Sequence, residues 1–427
     1  MMRMDFHEAD RAPGFGRGGE TTGRYLVLFE EGAAKAGIKA LGEATGTNVV
    51  SAGAADKEAR GDDTVVFDRL GVAVVSAPPE QIQRASAPVR GKNPIRAVEP
   101  ERVVYALEGG RSPEYLRGYR DAVLSLTGPA EPAAVAGVLA AVEESQATWG
   151  LQAVIAVNSC HSGAGIAVAV LDTGFDRTHP DFAGRNLTTQ SFVEGEDAAD
   201  GHGHGTHCIG TATGPKCPAT KPRYGVAYEA DIFAGKVLSN AGSGTDAQIL
   251  AGIDWAVANG CAVISMSLGS ATAPGEAFSE VYERVARRAS QAGSLIVAAA
   301  GNESERPNLI NPVGHPANCP SIMAVAAVDV NMAIASFSNR GIDPNGGQVD
   351  VAGPGVAVHS SWTMPTRYRR ISGTSMATPH AAGIAALLAE ANPKERGAAL
   401  GKLLSATARR LPDLPSADVG AGLVQAP

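Results

Sequence analysis

Three short polar clusters interrupt a chain that is otherwise rich in apolar and small residues. The first, Val170-Leu171-Asp172-Thr173-Gly174, puts a carboxylate at the end of an apolar run. The second runs from Asp200 through Gly201, His202, Gly203 and His204 to Gly205, Thr206 and His207, a histidine group cradled by glycine. The third, Gly373-Thr374-Ser375-Met376-Ala377-Thr378-Pro379-His380, opens the most apolar helical stretch of the chain. Asp, His and Ser are the parts of a nucleophilic triad, and this chain order is one of three in which such triads occur. A serine hydroxyl needs a base to take its proton, and the base needs a carboxylate to fix its tautomer. A serine that begins a helix also presents its backbone N–H to a developing oxyanion, with the helix dipole in support.

Those groups need a rigid frame, and the sequence provides one by alternating strands with helices. Unbroken apolar strands are expected at 166–171, 232–237, 263–267, 295–299, 322–328 and 349–351, with helices at 246–258, 276–292 and 375–391. Short strands without polar alternation belong to a parallel sheet covered on both faces. The expected class is therefore α/β, a three-layer parallel-sheet domain over 147–427. A smaller α+β unit is expected at 23–107, with strands at 24–29, 64–67, 72–76 and 95–107 and helices at 33–46 and 79–85. That order is the one of a ferredoxin-like sheet. Residues 1–22 read as disordered, and 108–146 as a helical connector opened by Ser112-Pro113-Glu114.

Composition excludes several function classes. The 427 residues carry 36 basic and 44 acidic side chains, a net charge of −8, without the basic excess of a nucleic-acid binder. With 51 glycines, 26 prolines and 44% apolar residues, the chain reads as compact and turn-rich. It has no run of about 18 apolar residues, so no membrane span is expected. The first 22 residues lack the apolar core of a secretory signal, and five cysteines (Cys160, Cys208, Cys217, Cys261, Cys319) are too few and uneven for a disulfide scaffold. A cytoplasmic protein is expected on those grounds, secretion being the alternative. No His-Glu-x-x-His or Cys-x-x-Cys pattern accompanies His202, His204 and His207, so zinc chemistry is not expected.

A fourth feature, Ala299-Ala300-Gly301-Asn302, joins the three clusters. Together, Asp172-Thr173-Gly174, the run from His204 to Thr211, the run from Gly373 to Pro379 and Asn302 resemble the signatures of the subtilisin-like serine proteases, with leanings towards proteinase K. The resemblance spans residues 149–425. It implies a serine endopeptidase acting through an acyl-enzyme. Asp172 would orient the imidazole, His204 act as base and acid, Ser375 attack, and Asn302 hold the oxyanion. It implies two substrate-pairing walls, Ser267-Leu268-Gly269 and Gly242-Ser243-Gly244. It also implies a primary pocket of Ala299, Ala300, Gly301 and Gly314, open to apolar or aromatic side chains, with Glu303 near its rim. Asp246 stands where several relatives carry an aromatic, which implies a weaker apolar subsite there.

No organic cofactor is implied. A structural calcium is implied at Pro320, Ile322 and Asp350, two carbonyls and a carboxylate. A second calcium at Asp181 is not expected, because the loop 214–224 departs from the family pattern. His202, His207, His380 and Cys208 are read as structural or solvated neighbours. The N-terminal unit resembles the family propeptide, an intramolecular inhibitor whose last strand, 98–107, enters the site. Cleavage is expected after Leu107, with a cut within or after the unusually large connector as the competing case. The expected partners are a peptide or protein substrate and the chain's own propeptide, with no nucleic acid and no membrane. Other readings are a processing protease dedicated to one partner and a peptide-binding pseudoprotease.

Overall fold

The computed structural model describes residues 20–52, 63–85, 93–107, 144–343 and 346–427. The two connector helices expected within 108–146 lie outside them almost entirely. The N-terminal unit comprises β1 (Thr21–Phe29), α1 (Ala34–Thr45), β2 (Val49–Ser51), β3 (Thr64–Phe67), β4 (Val72–Val75), α2 (Pro79–Ala85) and β5 (Ile95–Ala106). Its sheet runs β5-β1-β4-β3-β2. Leaving aside the short edge strand β2, this is the split-βαβ order of a ferredoxin-like sheet. β1 begins at Thr21, inside the stretch expected to be disordered, because Thr21 pairs with Arg102 and Thr22 bonds the Glu101 carboxylate.

Alternation along β1 explains why the unit needs a partner. Val27 and Phe29 point into a cluster with Leu41, Ile82 and Ala85, the unit's own helical side. Leu26 and Leu28 point the other way, into the main core of the molecule. With both faces covered, the strand reads as a continuous apolar run.

The large domain contains α3 (Trp149–Ala153), β6 (Ala167–Asp172), β7 (Leu187–Ser191), α4 (His204–Thr213), β8 (Asp231–Lys236), β9 (Ser243–Thr245) and α5 (Asp246–Ala258). It continues with β10 (Val263–Met266), β11 (Leu268–Gly269), α6 (Glu280–Gln291), β12 (Leu295–Ala299), β13 (Met323–Val328) and β14 (Val351–Pro354). β15 (Val358–Ser361), β16 (Tyr368–Ile371), α7 (Thr374–Ala391), α8 (Ala398–Thr407) and α9 (Ser416–Val419) complete it. Seven strands form a parallel sheet, β14-β13-β12-β10-β6-β8-β7, between helical layers. All four residues of β10 and all six of β13 are buried, as the apolar runs require.

The differences from expectation have local causes. β7, Leu-Thr-Thr-Gln-Ser, is an edge strand whose polar side chains carry no apolar signal. α4 is buried all round and rich in Gly and Thr, so it shows no amphipathic stripe. α6 starts four residues later than expected, at Glu280, because the Ser279 hydroxyl caps it by accepting from Tyr282 N–H. The strand expected at 349–351 instead covers Val351–Pro354.

Candidate active site

Asp172 ends β6, a central strand, and His204 opens α4. The two elements meet closely because position 205 is glycine: a Cβ there would lie 2.3 Å from the Gly174 carbonyl oxygen. His204 Nδ1 lies 2.7 Å from Asp172 Oδ1, which also accepts from Thr173 N–H at 2.7 Å. A carboxylate only accepts, so the Nδ1 proton points to Asp172, and in the neutral ring Nε2 carries the lone pair. Both side chains are buried, and His204 Nε2 has no partner among the described residues. Burial opposes charge on this ring, but the adjacent Asp172 carboxylate outweighs it, so the His204 pKa lies well above the ordinary 6.5. Cys208 lies 3.8 Å from His204 Nδ1; burial pushes its thiol up to about 11, so it adds no anion at neutral pH.

Ser375 is the second residue of α7 and fully buried. Its Oγ donates to the Ser267 carbonyl at 2.9 Å. Pro379, four residues on, has no N–H, so the Ser375 carbonyl cannot make its usual intrahelical bond. That carbonyl accepts instead from Ser267 Oγ at 2.8 Å and Cys208 Sγ at 3.6 Å. A helix-breaking residue thus ties the serine turn to the strand beside it and to α4.

Asn302 follows β12. Its Oδ1 accepts from Thr374 N–H (2.9 Å) and Thr374 Oγ1 (2.8 Å), which turns its Nδ2 outward. Nδ2 donates to the Leu107 carbonyl at 2.7 Å. This bond defines the site. The end of β5 lies in the groove as a central strand, pairing antiparallel with β9 (Val104 opposite Gly244) and with β11 (Ala106 opposite Leu268). Ala106 N–H donates to Gly242 O and Leu107 N–H to Ser267 O, at 2.9 and 3.3 Å. Leu107 itself is 9% exposed, and a Cβ on Gly269 would come within 3.2 Å of its Cδ1. The expected wall residues Gly242, Ser243, Gly244, Ser267, Leu268 and Gly269 therefore lie together on the two sides of β5. Gly314 N–H donates to Ala300 O, which joins the loop of Ala299, Ala300 and Gly301 to that of Gly314, the residues expected to form the primary pocket. Glu303 accepts from Asn339 Nδ2, and burial raises its pKa.

Several supporting residues escape a motif search. Asp200 takes N–H bonds from His202, Gly203 and Thr206 and hydroxyl bonds from Thr173 and Thr206, fixing the entry to α4. The available signal was an aspartate four residues before His204, an N-terminal capping type. Buried Lys236 reaches the Thr173 carbonyl, Asn240 Oδ1 and Glu196. His207 and His380 bond carbonyls of Val358 and Met376, and burial lowers them to about 3 and about 4, so both are neutral. Pro320 and Asp350 line one open cleft of about 710 Å³, with the Ile322 side chain buried.

The Subtilase family profile matches residues 163–422, and the chain belongs to this family of serine proteases. Among its relatives, Subtilisin DY of Bacillus licheniformis is 39% identical over 265 residues, 62% of this chain and 90% of that protein. Subtilisin Savinase of Lederbergia lenta is 40% identical, covering 65% of this chain and 96% of that one. The crystal structure of a cold-adapted subtilisin-like serine proteinase superposes with a TM-score of 0.54 at 32% identity, covering 66% and 97% of the two chains. The fold is thus the subtilisin-like one, and the protein is a hydrolase. Among the described residues, no helix is long and apolar enough to cross a membrane.

Proposed function

We propose that the chain is the autoinhibited precursor of an endopeptidase, and that it cuts itself between Leu107 and Glu108. The observation that carries this reading is the Leu107 carbonyl, held 2.7 Å from Asn302 Nδ2 at the end of a strand clamped between both groove walls. In the reaction, the Ser375 hydroxyl leaves the Ser267 carbonyl and passes its proton to His204 Nε2. Its oxygen attacks the Leu107 carbonyl carbon. Asn302 Nδ2 and the Ser375 N–H stabilise the oxyanion. The His204 proton then goes to the Glu108 nitrogen as the peptide bond breaks, leaving Leu107 as an ester on Ser375. Water, deprotonated by His204, hydrolyses that ester. The freed segment stays paired with β9 and β11 and blocks the groove as a product.

Substrates bind by the same strand addition, which relies on backbone bonds and tolerates many side chains. The small residues expected to line the primary pocket, together with the apolar Leu107 at the proposed cut, support an apolar or aromatic preference. Purified precursor is expected to resolve by intact mass into fragments 1–107 and 108–427, while Ser375→Ala stays whole. A first cut inside or after the connector overturns the assignment of Leu107, and labelling by a fluorophosphonate probe separates the protease from a peptide-binding pseudoenzyme.

A structural calcium at Pro320, Ile322 and Asp350 is part of this proposal. Asp350 is a carboxylate raised to about 6 by burial, with Ala324 N–H bonded to Oδ2 at 2.8 Å. That is an oxygen donor that a divalent cation would keep ionised. Its protein partners argue against a second site at Asp181: Oδ1 accepts from Ala219 N–H, and Oδ2 from the hydroxyls of Tyr224 and Tyr368.

A further inference from the structure

Asp246 is the first residue of α5, is fully buried, and faces the substrate groove instead of solvent. Its two carboxylate oxygens have different tasks. Oδ1 lies 3.1 Å from His315 Nε2, and His315 is itself 1% exposed. Oδ2 accepts the backbone N–H of Arg102 at 2.8 Å. Arg102 is the sixth residue before the scissile bond if Leu107 is the first.

The dyad is held from several sides. The Tyr282 ring stands edge-on to His315, with centroids 4.6 Å apart, and its hydroxyl donates to the Asp246 carbonyl at 3.4 Å. The backbone of His315 exchanges two hydrogen bonds with Ser270, each 2.9 Å, next to the substrate-pairing strand β11. Asp246 follows β9, the opposite wall. A buried hydrogen-bonded pair therefore links both walls of the groove and leaves one carboxylate oxygen for the peptide.

We infer that Asp246, positioned by His315, is a specificity residue that recognises the backbone N–H of the sixth substrate residue before the cut. The inference rests on the reading of 98–107 as a bound substrate strand. It assigns a substrate class: extended chains with at least six ordered residues on that side, the sixth not proline. Side-chain identity at that position is secondary, because the bond is to the main chain. A bond from N–H to a buried carboxylate is charge-assisted and stronger than a neutral one. When the N–H is missing, the carboxylate oxygen is left without its partner inside the groove.

Two acetyl-capped peptides ending in the same apolar residue and leaving group test this, one with five residues before the cut and one with six. The acetyl group supplies no N–H at the sixth position. For processed wild-type enzyme, kcat/KM is expected to rise roughly tenfold or more from five to six. N-methylation or proline at the sixth residue is expected to remove the rise, a control that needs no enzyme variant. Asp246→Ala is expected to bring the six-to-five ratio close to one; the ratio within each enzyme cancels any general loss of activity. A wild-type ratio near one, or a ratio that survives in the variant or with N-methylated peptide, overturns the inference while leaving the protease reading intact. If neither peptide is cut, the protease reading fails and this one falls with it.

Discussion

At the scale of single residues, the site depends on partners that fix direction as much as on the reacting groups. Asn302 can donate to the Leu107 carbonyl only because Thr374 occupies its other end. Asn302→Ala is expected to lower kcat by about 10²–10³, the loss known for this donor in subtilisin itself, measured by peptide hydrolysis. On the proposed mechanism His204 must be neutral to accept the serine proton; burial opposes charge on its ring, but the Asp172 carboxylate holds its pKa well above 6.5. Activity is therefore present at higher pH and lost as pH falls through a midpoint above 6.5. Asp172→Asn removes that anion. It should move the acid limb of kcat/KM downward and cut kcat by roughly 10⁴, the loss known for the same change in another triad enzyme. An unmoved acid limb would count against the pairing.

At the scale of elements, the N-terminal unit docks by capping helices. Glu99 accepts from Glu280 N–H at 2.7 Å, Val281 N–H at 3.2 Å and Ser279 Oγ at 2.6 Å, at the start of α6. Glu101 is fully buried and accepts from Ala247 N–H at 3.0 Å, at the start of α5, while Arg24 holds its other side. Two neighbouring strand residues on one face of β5 thus meet two helix N-termini, where unpaired N–H groups favour a carboxylate. These contacts lie outside the strand pairing with β9 and β11. Glu99→Ala or Glu101→Ala should leave the cut site unchanged but release the bound segment sooner. The measurement is the lag between self-cleavage and the appearance of activity on an added peptide, expected to shorten severalfold; an unchanged lag would show that the caps do not hold the unit.

At the scale of the whole molecule, one continuous apolar core joins the two units: Leu26, Leu28, Val72 and Val74 belong to the same cluster as the strands of the parallel sheet. Asp350 sits at the start of β14 and bonds Ala324 in β13, so its charge state bears on how the sheet edge is held. Its carboxyl is raised to about 6 by burial. The sign follows: without a cation, the ionised form is disfavoured in the folded state, so stability from this group is present below its unfolded pKa and lost as pH rises through about 6. Calcium would reverse that loss. The calcium-induced rise in Tm is expected to be large at pH 7.5, to fade below about pH 6, and to vanish in Asp350→Asn. A Tm indifferent to chelator at pH 7.5 would remove the calcium site from the account.

The sequence by itself determined the parallel α/β frame, and it marked the candidate reacting groups and a two-unit layout. Each of these is encoded locally, in short motifs and in apolar runs of strand or helix length. It also pointed β5 to the groove, through the resemblance of residues 98–107 to a propeptide tail. What it left open depends on contacts between distant segments. The capping roles of Glu99 and Glu101, the Lys236 support, and the end of Asn302 that faces the carbonyl have no local pattern. Asp246 is the clearest case. In sequence it was an acid where relatives carry an aromatic, and it implied only a weaker subsite. The fold brings His315 to one oxygen and a backbone N–H to the other. Only tertiary structure makes that choice, because a carboxylate's role is set by which donors share its buried surroundings.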